Sequence, residues 1–332
     1  MSKLSVVITA YNEETKIKDC LESVKDLADE IILVDNDSTD KTAQIATQYT
    51  RHIFHQKNDP EKIDLQKNFG FEKATNEWIL SLDADERVTK ELAEEIRKTI
   101  GHTEPVSESI VIDPRRQLTD RGNDRRGDDD EEFSGYFIPR KNIIFGKWIE
   151  HTGWYPDHQL RLFKKGKGKY IAKHYHEPLK INGEVGYLAQ PIVHYNYETV
   201  SQFFRRNLLV YAPNEADELL RKGYLFDWRD AVRFPVKEFL SRYFARQGYK
   251  DGLHGLILSL GMAASHLAIF CYLWEKKKFA AVSEKEISLH LENELKKSGK
   301  EIQFWLDRKK IEEEKNPIKK MKLKLKRKFT SL

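Results

Sequence analysis

The chain has 332 residues, of which 39% are hydrophobic and 33% are charged, as in soluble proteins with a heavily charged surface. Its 57 lysines and arginines nearly balance its 53 aspartates and glutamates, so the composition excludes a strongly basic nucleic-acid binder, and we expect no nucleic-acid partner. The two cysteines, Cys20 and Cys271, lack metal-binding spacing, which favours a reducing compartment without disulfides. The first residues lack the pattern of a secretory signal, and we expect a cytoplasmic catalytic portion.

Four segments have the apolar pattern of strands, and three of them are near-continuous apolar runs, which indicates burial on both faces. These segments are 4–10, 30–36, 51–55 (the weakest) and 77–83. Helical patterns accompany them at about 14–27, 39–49, 64–75 and 89–100. The second helix is expected to be capped by Ser38 or Thr39. Strands alternating with helices predict an α/β fold with a parallel sheet.

The middle of the chain divides into a charged segment and an aromatic-rich one. Thirteen of the twenty residues from Asp113 to Glu132 are charged, and we predict a flexible insertion at 101–133. Patterns typical of strands, rich in Trp, Tyr and Phe, follow the insertion. We expect a catalytic domain at 1–197, a helical region at 198–312 and a basic tail at 313–332.

Two C-terminal segments indicate contact with a membrane surface. Residues 252–274 contain no Asp, Glu, Lys or Arg over 23 positions, which is long enough to cross a bilayer. Basic residues flank both ends, against the charge asymmetry of a single span, so we expect a helix or helical hairpin that packs on the protein or lies in the interface, with a true span as the alternative. Seven of the ten residues from Lys319 to Lys328 are Lys or Arg. They predict either a disordered end or a contact with anionic lipid, worth about 1 kcal/mol per basic residue.

Polar residues follow each of the three long predicted strands, at 9–13, 35–38 and 83–86. Because parallel strands end at one edge of a sheet, and ligands bind at that edge, we expect these side chains to lie together. Acids after a single strand could be ordinary helix caps. Acids after all three strands, beside the aromatic Tyr11 that could stack on a base, predict a site for a nucleotide and a cation.

The two common phosphate-binding loops, G-x-G-x-x-G and G-x-x-x-x-G-K-[ST], are absent from the sequence. A diphosphate would need another source of positive charge, and a divalent cation on Asp85 would supply it. Mg²⁺ and Mn²⁺ bind few carboxylates together with phosphate oxygens, which suits the two acids of Asp83-Ala84-Asp85. The position of this Asp-x-Asp at the end of the third long strand makes the signal stronger than the motif alone.

Four motifs carry a resemblance to a known family, namely VVITAYNE, ILVDNDSTDKT, LQKNFGFEKAT and WILSLDADE. In this order and spacing, over about residues 4–88, they resemble the family-2 glycosyltransferases of the GT-A fold. Three later segments, GKWIEHTGWYPDHQLRLFKKG, HEP and DGLHGLILSL, resemble the bacterial lipopolysaccharide-core β-1,4-glucosyltransferases and extend the likeness to about residue 275. The resemblance implies a GT-A, Rossmann-like, mostly parallel sheet with flanking helices, followed by a helical region that associates with the membrane.

The resemblance also assigns roles in binding the donor nucleotide. The implied nucleotide-binding residues are Thr9, Tyr11, Glu13, Asp35, Asn36 and Gln66. This chain has Asn36 where the family often has a second aspartate. Asp83 would face both ribose and metal, and Asp85 would bind the metal, Mn²⁺ or Mg²⁺. Arg161 could bind the diphosphate or pair with a neighbouring acid.

The residue that accepts the proton of the acceptor hydroxyl is less defined by the motifs. The family usually supplies an aspartate from a Glu-Asp pair, and this chain has Pro156-Asp157 instead. Asp157 is the predicted base, with a turn residue as the alternative interpretation. Glu177 is the second candidate and Glu150 is the third.

Histidines and aromatic residues cluster in the same part of the chain. GT-A enzymes sometimes add a late histidine to the metal, which makes His176 or His194 a candidate ligand, with a hydrogen-bonded structural role as the alternative. Trp148, Trp154 and Tyr155 could form a wall on which a sugar stacks, or they could belong to the core.

The sequence therefore predicts an inverting, metal-dependent glycosyltransferase. It would move a sugar, glucose by resemblance, from a UDP-sugar to a saccharide on a lipid carrier or lipopolysaccharide core at the inner face of the cell membrane. A sugar-nucleotidyltransferase is the first alternative, but that class needs a glycine-rich basic loop where this chain has AYNEET. A non-catalytic saccharide- or membrane-binding relative is the second.

Overall fold

The computed structural model describes residues 2–59, 63–101, 133–171 and 179–330. The chain forms two compact units. The first unit comprises Met1–Ile143 and Tyr155–Asn196, and the second comprises Ile144–Trp154 and Tyr197–Leu332. The segment Ile144–Trp154 thus groups with the C-terminal part, whereas the sequence suggested one boundary near residue 197. Most of the expected insertion, residues 102–132, lies outside the described residues.

Twelve strands and four helices account for the regular structure before residue 198 in the described residues. The strands are β1 (Leu4–Ala10), β2 (Glu30–Asp35), β3 (His52–His55), β4 (Trp78–Asp83), β5 (Glu86–Val88), β6 (Gly135–Ile144), β7 (Lys147–Trp148), β8 (Asp157–Lys164), β9 (Gly168–Lys169), β10 (Lys180–Ile181), β11 (Val185–Tyr187) and β12 (Ile192–Tyr197). The helices are α1 (Ile17–Val24), α2 (Thr42–Ala46), α3 (Ile63–Lys73) and α4 (Lys90–Gly101).

The main sheet has the strand order β3-β2-β1-β4-β8-β6-β12-β5. Its first four strands are parallel, with β1 between β2 and β4 and with β2 beside β3. Strand β8 runs antiparallel to both β4 and β6. The expected α/β fold, with a mostly parallel sheet and flanking helices followed by C-terminal helices, is confirmed. The association of those helices with a membrane stays a prediction.

Alternate residues of the central strands enter two separate apolar layers. On β1, Val6 and Ile8 pack in the layer that contains the buried faces of α1 and α4, whereas Val7 packs in the layer of α3. Side chains of neighbouring positions on a strand point to opposite faces, so a strand buried on both faces needs apolar residues at every position. This explains why the strand segments are continuous apolar runs.

Gly70 allows helix α3 to approach the sheet closely. A Cβ atom at this position would lie 2.5 Å from Cγ1 of Val7 and 2.7 Å from Cγ2 of Val34, so a larger residue would push the helix away. The same helix carries Gln66 and Lys67 one turn earlier. The glycine therefore sets the distance of these two side chains from the carboxyl ends of the strands.

The expected cap of the second helix is wrong. Helix α2 begins at Thr42, and neither Ser38 nor Thr39 caps it. The hydroxyl of Ser38 instead accepts a hydrogen bond from the backbone N–H of Asn12, at 2.9 Å. A tertiary contact with the loop after β1 has replaced the local one that the sequence indicated.

The second unit is helical. Its helices are α5 (Val200–Arg206), α6 (Ala212–Arg221), α7 (Asp230–Leu240), α8 (Leu253–Lys276), α9 (Glu284–Glu313) and α10 (Pro317–Thr330). Short π-helical turns lie at Asn207–Tyr211 and Ser241–Ala245, and a 3₁₀ turn lies at Gly248–Asp251. The basic tail, expected as a disordered end or a lipid contact, is helical from Pro317 in this structure.

Helix α8 is long and apolar enough to cross a membrane by length and composition, and no other helix in the described parts of the chain meets that criterion. Leu258, Ser265 and Leu273 lie on a face that is buried within the second unit. The opposite face exposes Leu253, Leu260, Leu267 and Trp274, which recur every seven residues. The helix thus packs on the protein by one side and presents an apolar stripe on the other.

Candidate functional site

Three groups of polar residues meet at the carboxyl edge of the parallel strands, as the sequence predicted. In register, Thr9 of β1 lies opposite Asp83 of β4, and Ala10 lies opposite Asp35 of β2. The residues that follow these strands therefore share one edge of the sheet. All of them belong to the first unit.

The loop after β1 is fixed by the loop after β2. The backbone N–H of Glu13 donates to Oγ1 of Thr42 at 2.8 Å, and Oδ1 of Asn12 accepts from the backbone N–H of Thr39 at 2.8 Å. Asn12 has a φ of 54°, a left-handed conformation that asparagine tolerates better than most residues. The side chain of Tyr11 is 46% exposed beside this loop, where a planar base could stack on it.

Asp35 is almost completely buried and has one carboxylate oxygen without a partner. Its Oδ2 lies 2.9 Å from Nδ1 of His55, whereas its Oδ1 is buried with no hydrogen bond. Buried carboxylate oxygens are nearly always paired, so Oδ1 marks a position for a donor that comes from a ligand. The N–H of a nucleobase would satisfy it.

Asn36 and Gln66 shape the neighbouring loop. Oδ1 of Asn36 accepts from Gln56 at 2.7 Å, and Nε2 of Gln66 donates to the backbone carbonyl of Lys57 at 2.6 Å. The side chains of Asn36 and Gln66 are both buried. They hold the segment after β3 in place, so a contact of either side chain with a nucleotide stays a prediction.

Two buried basic side chains form ion pairs with Asp83, one with each carboxylate oxygen. Nζ of Lys67 lies 2.7 Å from Oδ1, and Nη2 of Arg161 lies 2.5 Å from Oδ2. Nη2 of Arg161 also lies 2.6 Å from Oε1 of Glu86, a fully buried carboxylate. Burial alone would raise the pKa of Asp83, but Arg161 and Lys67 outweigh it and hold that pKa well below its usual range.

The contacts of Arg161 agree with one of its two interpretations, and binding of the diphosphate stays a prediction. In this structure Arg161 pairs with neighbouring acids, and its own pKa is raised well above the ordinary value because Asp83 and Glu86 outweigh the effect of burial. Sequence reasoning did not identify Lys67 or the role of Glu86. The position of Lys67 within LQKNFGFEKAT was the available signal.

Arg161→Met is expected to destabilise the first unit by about 3–5 kcal/mol, because it removes the nearest counter-ion of the fully buried Glu86 and leaves Asp83 with Lys67 alone. Denaturant unfolding measures this loss. Adding Glu86→Gln should recover part of the stability, since the double variant leaves one fewer charge unpaired. Lys25→Met is the control, because it breaks an exposed ion pair with Glu22, worth less than about 1 kcal/mol. A loss for Arg161→Met as small as the control's would contradict the counter-ion role.

Asp85 lies beside His194 and also has a buried oxygen without a partner. Nε2 of His194 is 3.5 Å from Oδ2 of Asp85, and Oδ1 of Asp85 makes no hydrogen bond. Burial raises the pKa of Asp85, but the nearby His194 lowers it, and the net shift is downward. A carboxylate with an unpaired oxygen suits Mn²⁺ or Mg²⁺, which take most of their other ligands from phosphate oxygens and water, and His194 could add a nitrogen ligand. Within the described ranges, no three His, Cys, Asp or Glu side chains are close enough to hold a metal by themselves.

Asp157 begins β8 and is held by three polar side chains. Nε of Arg140 and Nε2 of Gln159 each donate to it at 2.9 Å, and Nδ2 of Asn142 donates at 3.4 Å. Burial raises the pKa of Asp157, but Arg140 and the hydrogen bonds lower it by more. The net shift of the pKa is downward, so the carboxylate is ionised at neutral pH. A base must be in this form before it can accept a proton.

Two further candidates for the site, His176 and Glu177, lie outside the described residues. Glu150 lies in the second unit, where the loop after β7 is held by Asp251. The carboxylate of Asp251 accepts from the backbone N–H of His151 at 3.1 Å and from the hydroxyl of Thr152 at 2.6 Å. The backbone of Glu150 donates to the same carboxylate at 3.3 Å. This loop is therefore organised from within the second unit.

The aromatic residues predicted as a sugar-stacking wall do not share one unit. Trp148 and Trp154 belong to the second unit and Tyr155 to the first. Trp154 packs on a core cluster that includes Tyr197 and Phe203. For Trp154 the contacts agree with a place in the core.

The sheet and its edge define the class of the protein. A parallel sheet whose carboxyl edge carries buried, partly unpaired acids belongs to the α/β proteins that bind a ligand at that edge. Residues 5–166 match the sequence model of glycosyl transferase family 2. This part of the chain, just under half of its length, is therefore a family-2 glycosyltransferase domain.

The relatives found by sequence similarity point the same way. The chain is 25% identical over 273 residues to an uncharacterized glycosyltransferase of Rickettsia typhi. This alignment covers 78% of this chain and 82% of the relative. It is 26% identical over 264 residues to the lipopolysaccharide core biosynthesis glycosyltransferase LpsC of Rhizobium meliloti, over 76% of this chain and 85% of the relative.

Among solved structures, the chain is similar to glucosyl-3-phosphoglycerate synthase from Mycobacterium tuberculosis in complex with Mn²⁺, UDP and glucosyl-3-phosphoglycerate. The identity is 24% and the TM-score is 0.23. The alignment covers 26% of this chain and 34% of that protein, so the chain matches about a third of its length.

Proposed function

We propose that this glycosyltransferase takes its sugar from a UDP-sugar, with glucose as the first candidate, and transfers it with inversion. The observation that carries the proposal is the pair of buried, unpartnered oxygens, Oδ1 of Asp35 and Oδ1 of Asp85, at one edge of the sheet. The first suits an N–H of uracil, and the second suits a cation beside the diphosphate. Tyr11 would stack on the base, with Thr9 and Glu13 near the ribose.

Asp85 and His194 would hold the metal ion, Mn²⁺ or Mg²⁺. When bound, the ion supplies positive charge that stabilises the departing diphosphate. Asp83, whose two oxygens are engaged by Lys67 and Arg161, is better placed to orient the ribose than to bind the metal directly. This division of roles between the two aspartates refines the Asp-x-Asp prediction.

Asp157 would act as the base for the acceptor. Its ionised carboxylate would take the proton of the acceptor hydroxyl while the hydroxyl oxygen bonds to the anomeric carbon and the carbon–oxygen bond to the diphosphate breaks. The attacking oxygen approaches from the face opposite the diphosphate, which inverts the configuration. Arg140 and Gln159 would hold the carboxylate in place.

The acceptor would be a saccharide on a lipid carrier or lipopolysaccharide core. The similarity to a lipopolysaccharide core glycosyltransferase, spread over most of both chains, supports this choice. Such an acceptor is presented at a membrane surface. We therefore place the enzyme in the cytoplasm, peripheral on the inner face of the cell membrane.

A panel of nucleotide sugars tests the reaction class. The protein, with Mn²⁺ or Mg²⁺, is expected to release UDP slowly from UDP-glucose or another UDP-sugar and to bind UDP in calorimetry. If the panel shows neither release nor UDP binding, the proposal is wrong. Release of pyrophosphate from a nucleoside triphosphate and a sugar phosphate would identify a nucleotidyltransferase instead. UDP binding without turnover on any saccharide acceptor would favour a non-catalytic relative.

The second unit offers a surface for the membrane. The exposed stripe of α8, Leu253, Leu260, Leu267 and Trp274, has basic residues near both of its ends, and α10 exposes Ile318, Met321 and Leu325 among lysines. An apolar face bordered by lysines is typical of helices that lie in the interface of an anionic bilayer.

Leu260→Glu combined with Leu267→Glu is expected to reduce sedimentation with vesicles that contain anionic lipid by at least about tenfold, because burial of each leucine contributes about 1.5–3 kcal/mol. Ending the chain after Asn316 should weaken binding further and reduce its salt dependence. The control carries the same change at Leu289 and Leu295, which are exposed on α9. Equal losses of vesicle binding in the two double variants would argue against a membrane-binding face on α8.

A further inference from the structure

A single buried side chain, Asn142, connects the proposed base with the proposed metal ligands. Asn142 lies on β6, between β8, which carries Asp157, and β12, which carries His194. It is fully buried. No motif in the sequence singled it out, and so far it has appeared only as one of the three side chains that hold Asp157.

The amide of Asn142 has a defined orientation. Asp157 is an ionised carboxylate and can only accept hydrogen bonds, so the NH₂ group of Asn142 must face it, at 3.4 Å. The carbonyl oxygen then faces Nδ1 of His194 at 2.7 Å and also lies 3.4 Å from Nδ2 of Asn196, a second donor.

This orientation determines the chemistry of His194. A carbonyl oxygen only accepts, so Nδ1 of His194 must carry its hydrogen. The other ring nitrogen, Nε2, points to Asp85 at 3.5 Å. A metal ion requires a ring nitrogen with a free lone pair, and metal-binding histidines typically donate their other N–H to an oxygen.

We propose that Asn142 is a positioning residue, which holds the ring of His194 with Nε2 directed at the metal site beside Asp85. The proposal rests on the metal site of the proposed function. Since the NH₂ group of the same amide bonds Asp157, Asn142 also fixes the distance between the base and the metal site. Loss of a comparable outer partner typically weakens metal binding about 10–100-fold.

Asn142→Leu tests this role. With UDP present, titration of Mn²⁺ followed by electron paramagnetic resonance is expected to show about 10–100-fold weaker binding than in the wild type. Binding of UDP without metal should be unchanged. Asn142→Asp, with its new carboxyl group protonated, keeps an oxygen opposite Nδ1 and a donor opposite Asp157, and it is expected to retain most of the Mn²⁺ affinity.

Asn68→Leu is the matched control. Asn68 exchanges two hydrogen bonds of 2.9 Å with the backbone of Tyr170 in the same unit. Its loss leaves part-buried polar groups of the Tyr170 backbone unpaired and should lower the melting temperature. The control should lose stability without losing Mn²⁺ affinity, which separates a positioning role from general destabilisation.

The outcomes are distinguishable. Wild-type protein that binds no Mn²⁺ in the presence of UDP would reject the metal site of the proposed function itself. If the wild type binds Mn²⁺ and Asn142→Leu binds it with equal affinity, only the role of Asn142 is rejected. If Asn142→Leu does not fold, ring-nitrogen NMR of His194 in the metal-free wild type decides. A bare Nδ1 would overturn the proposal, and a protonated Nδ1 would support it.

Discussion

Asp85→Asn is expected to reduce sugar transfer at least about 10³-fold, because a metal ion contributes several kcal/mol of charge stabilisation and each 1.36 kcal/mol changes the rate tenfold. The free energy of unfolding should fall only slightly. Burial and the nearby Asp83 oppose the charge of Asp85, whereas His194 favours it, and the net lowering of its pKa means that the charge stabilises the fold modestly at neutral pH. Initial rates over a range of Mn²⁺ concentrations, together with denaturant unfolding, measure both quantities.

Asp37→Asn is the control for this change. Asp37 follows β2 at the same edge of the sheet and has a φ of 57°, which asparagine also adopts. The Asp37→Asn variant should keep nearly the wild-type rate of sugar transfer. An Asp85→Asn variant that keeps more than a tenth of the wild-type rate, or that loses several kcal/mol of stability, would show that Asp85 is a structural acid.

Asp157→Asn should lower the turnover number about 10²–10⁴-fold, the usual contribution of a positioned base. Binding of UDP should not change, because the amide keeps the size of the carboxylate and the donor side is untouched. The pKa of Asp157 is lowered, so the base is ionised at neutral pH, and its contribution is lost only as the pH falls through that lowered value. We expect no decline from this group between about pH 5 and 7.

The competing base is tested in parallel. Glu177→Gln should leave the turnover number nearly unchanged. Loss of activity in Glu177→Gln, with full activity in Asp157→Asn, would move the base to Glu177. Steady-state rates at saturating donor and acceptor separate this effect from changes in KM.

The strands were predictable from sequence because their signal is local. Continuous apolar runs identified β1, β2 and β4 to within a residue or so, and the parallel register of these strands then placed Asp35 and Asp83 at one edge. Both steps need only periodicity and the geometry of a parallel sheet. The edge of the candidate site was therefore within reach of the sequence.

The electrostatic partners at that edge were not predictable. Arg161 is 78 residues from Asp83, and nothing local indicates that they meet at 2.5 Å. Lysine is rarely buried, and only its position within the motif LQKNFGFEKAT connected Lys67 with the site. Asn142 bonds His194 across 52 positions. Contacts of this kind depend on which strands of the mixed sheet are neighbours. The periodicity of apolar residues along the sequence does not indicate that strand order.

The carboxylate of Asp251 has a consequence for the order in which the protein folds during synthesis. Its donors lie about 100 residues earlier in the chain, at His151 and Thr152. The loop of residues 150–154 therefore stays without its anchor until the ribosome has released residue 251. Every segment of the first unit has emerged by residue 196, so that unit can complete its sheet sooner.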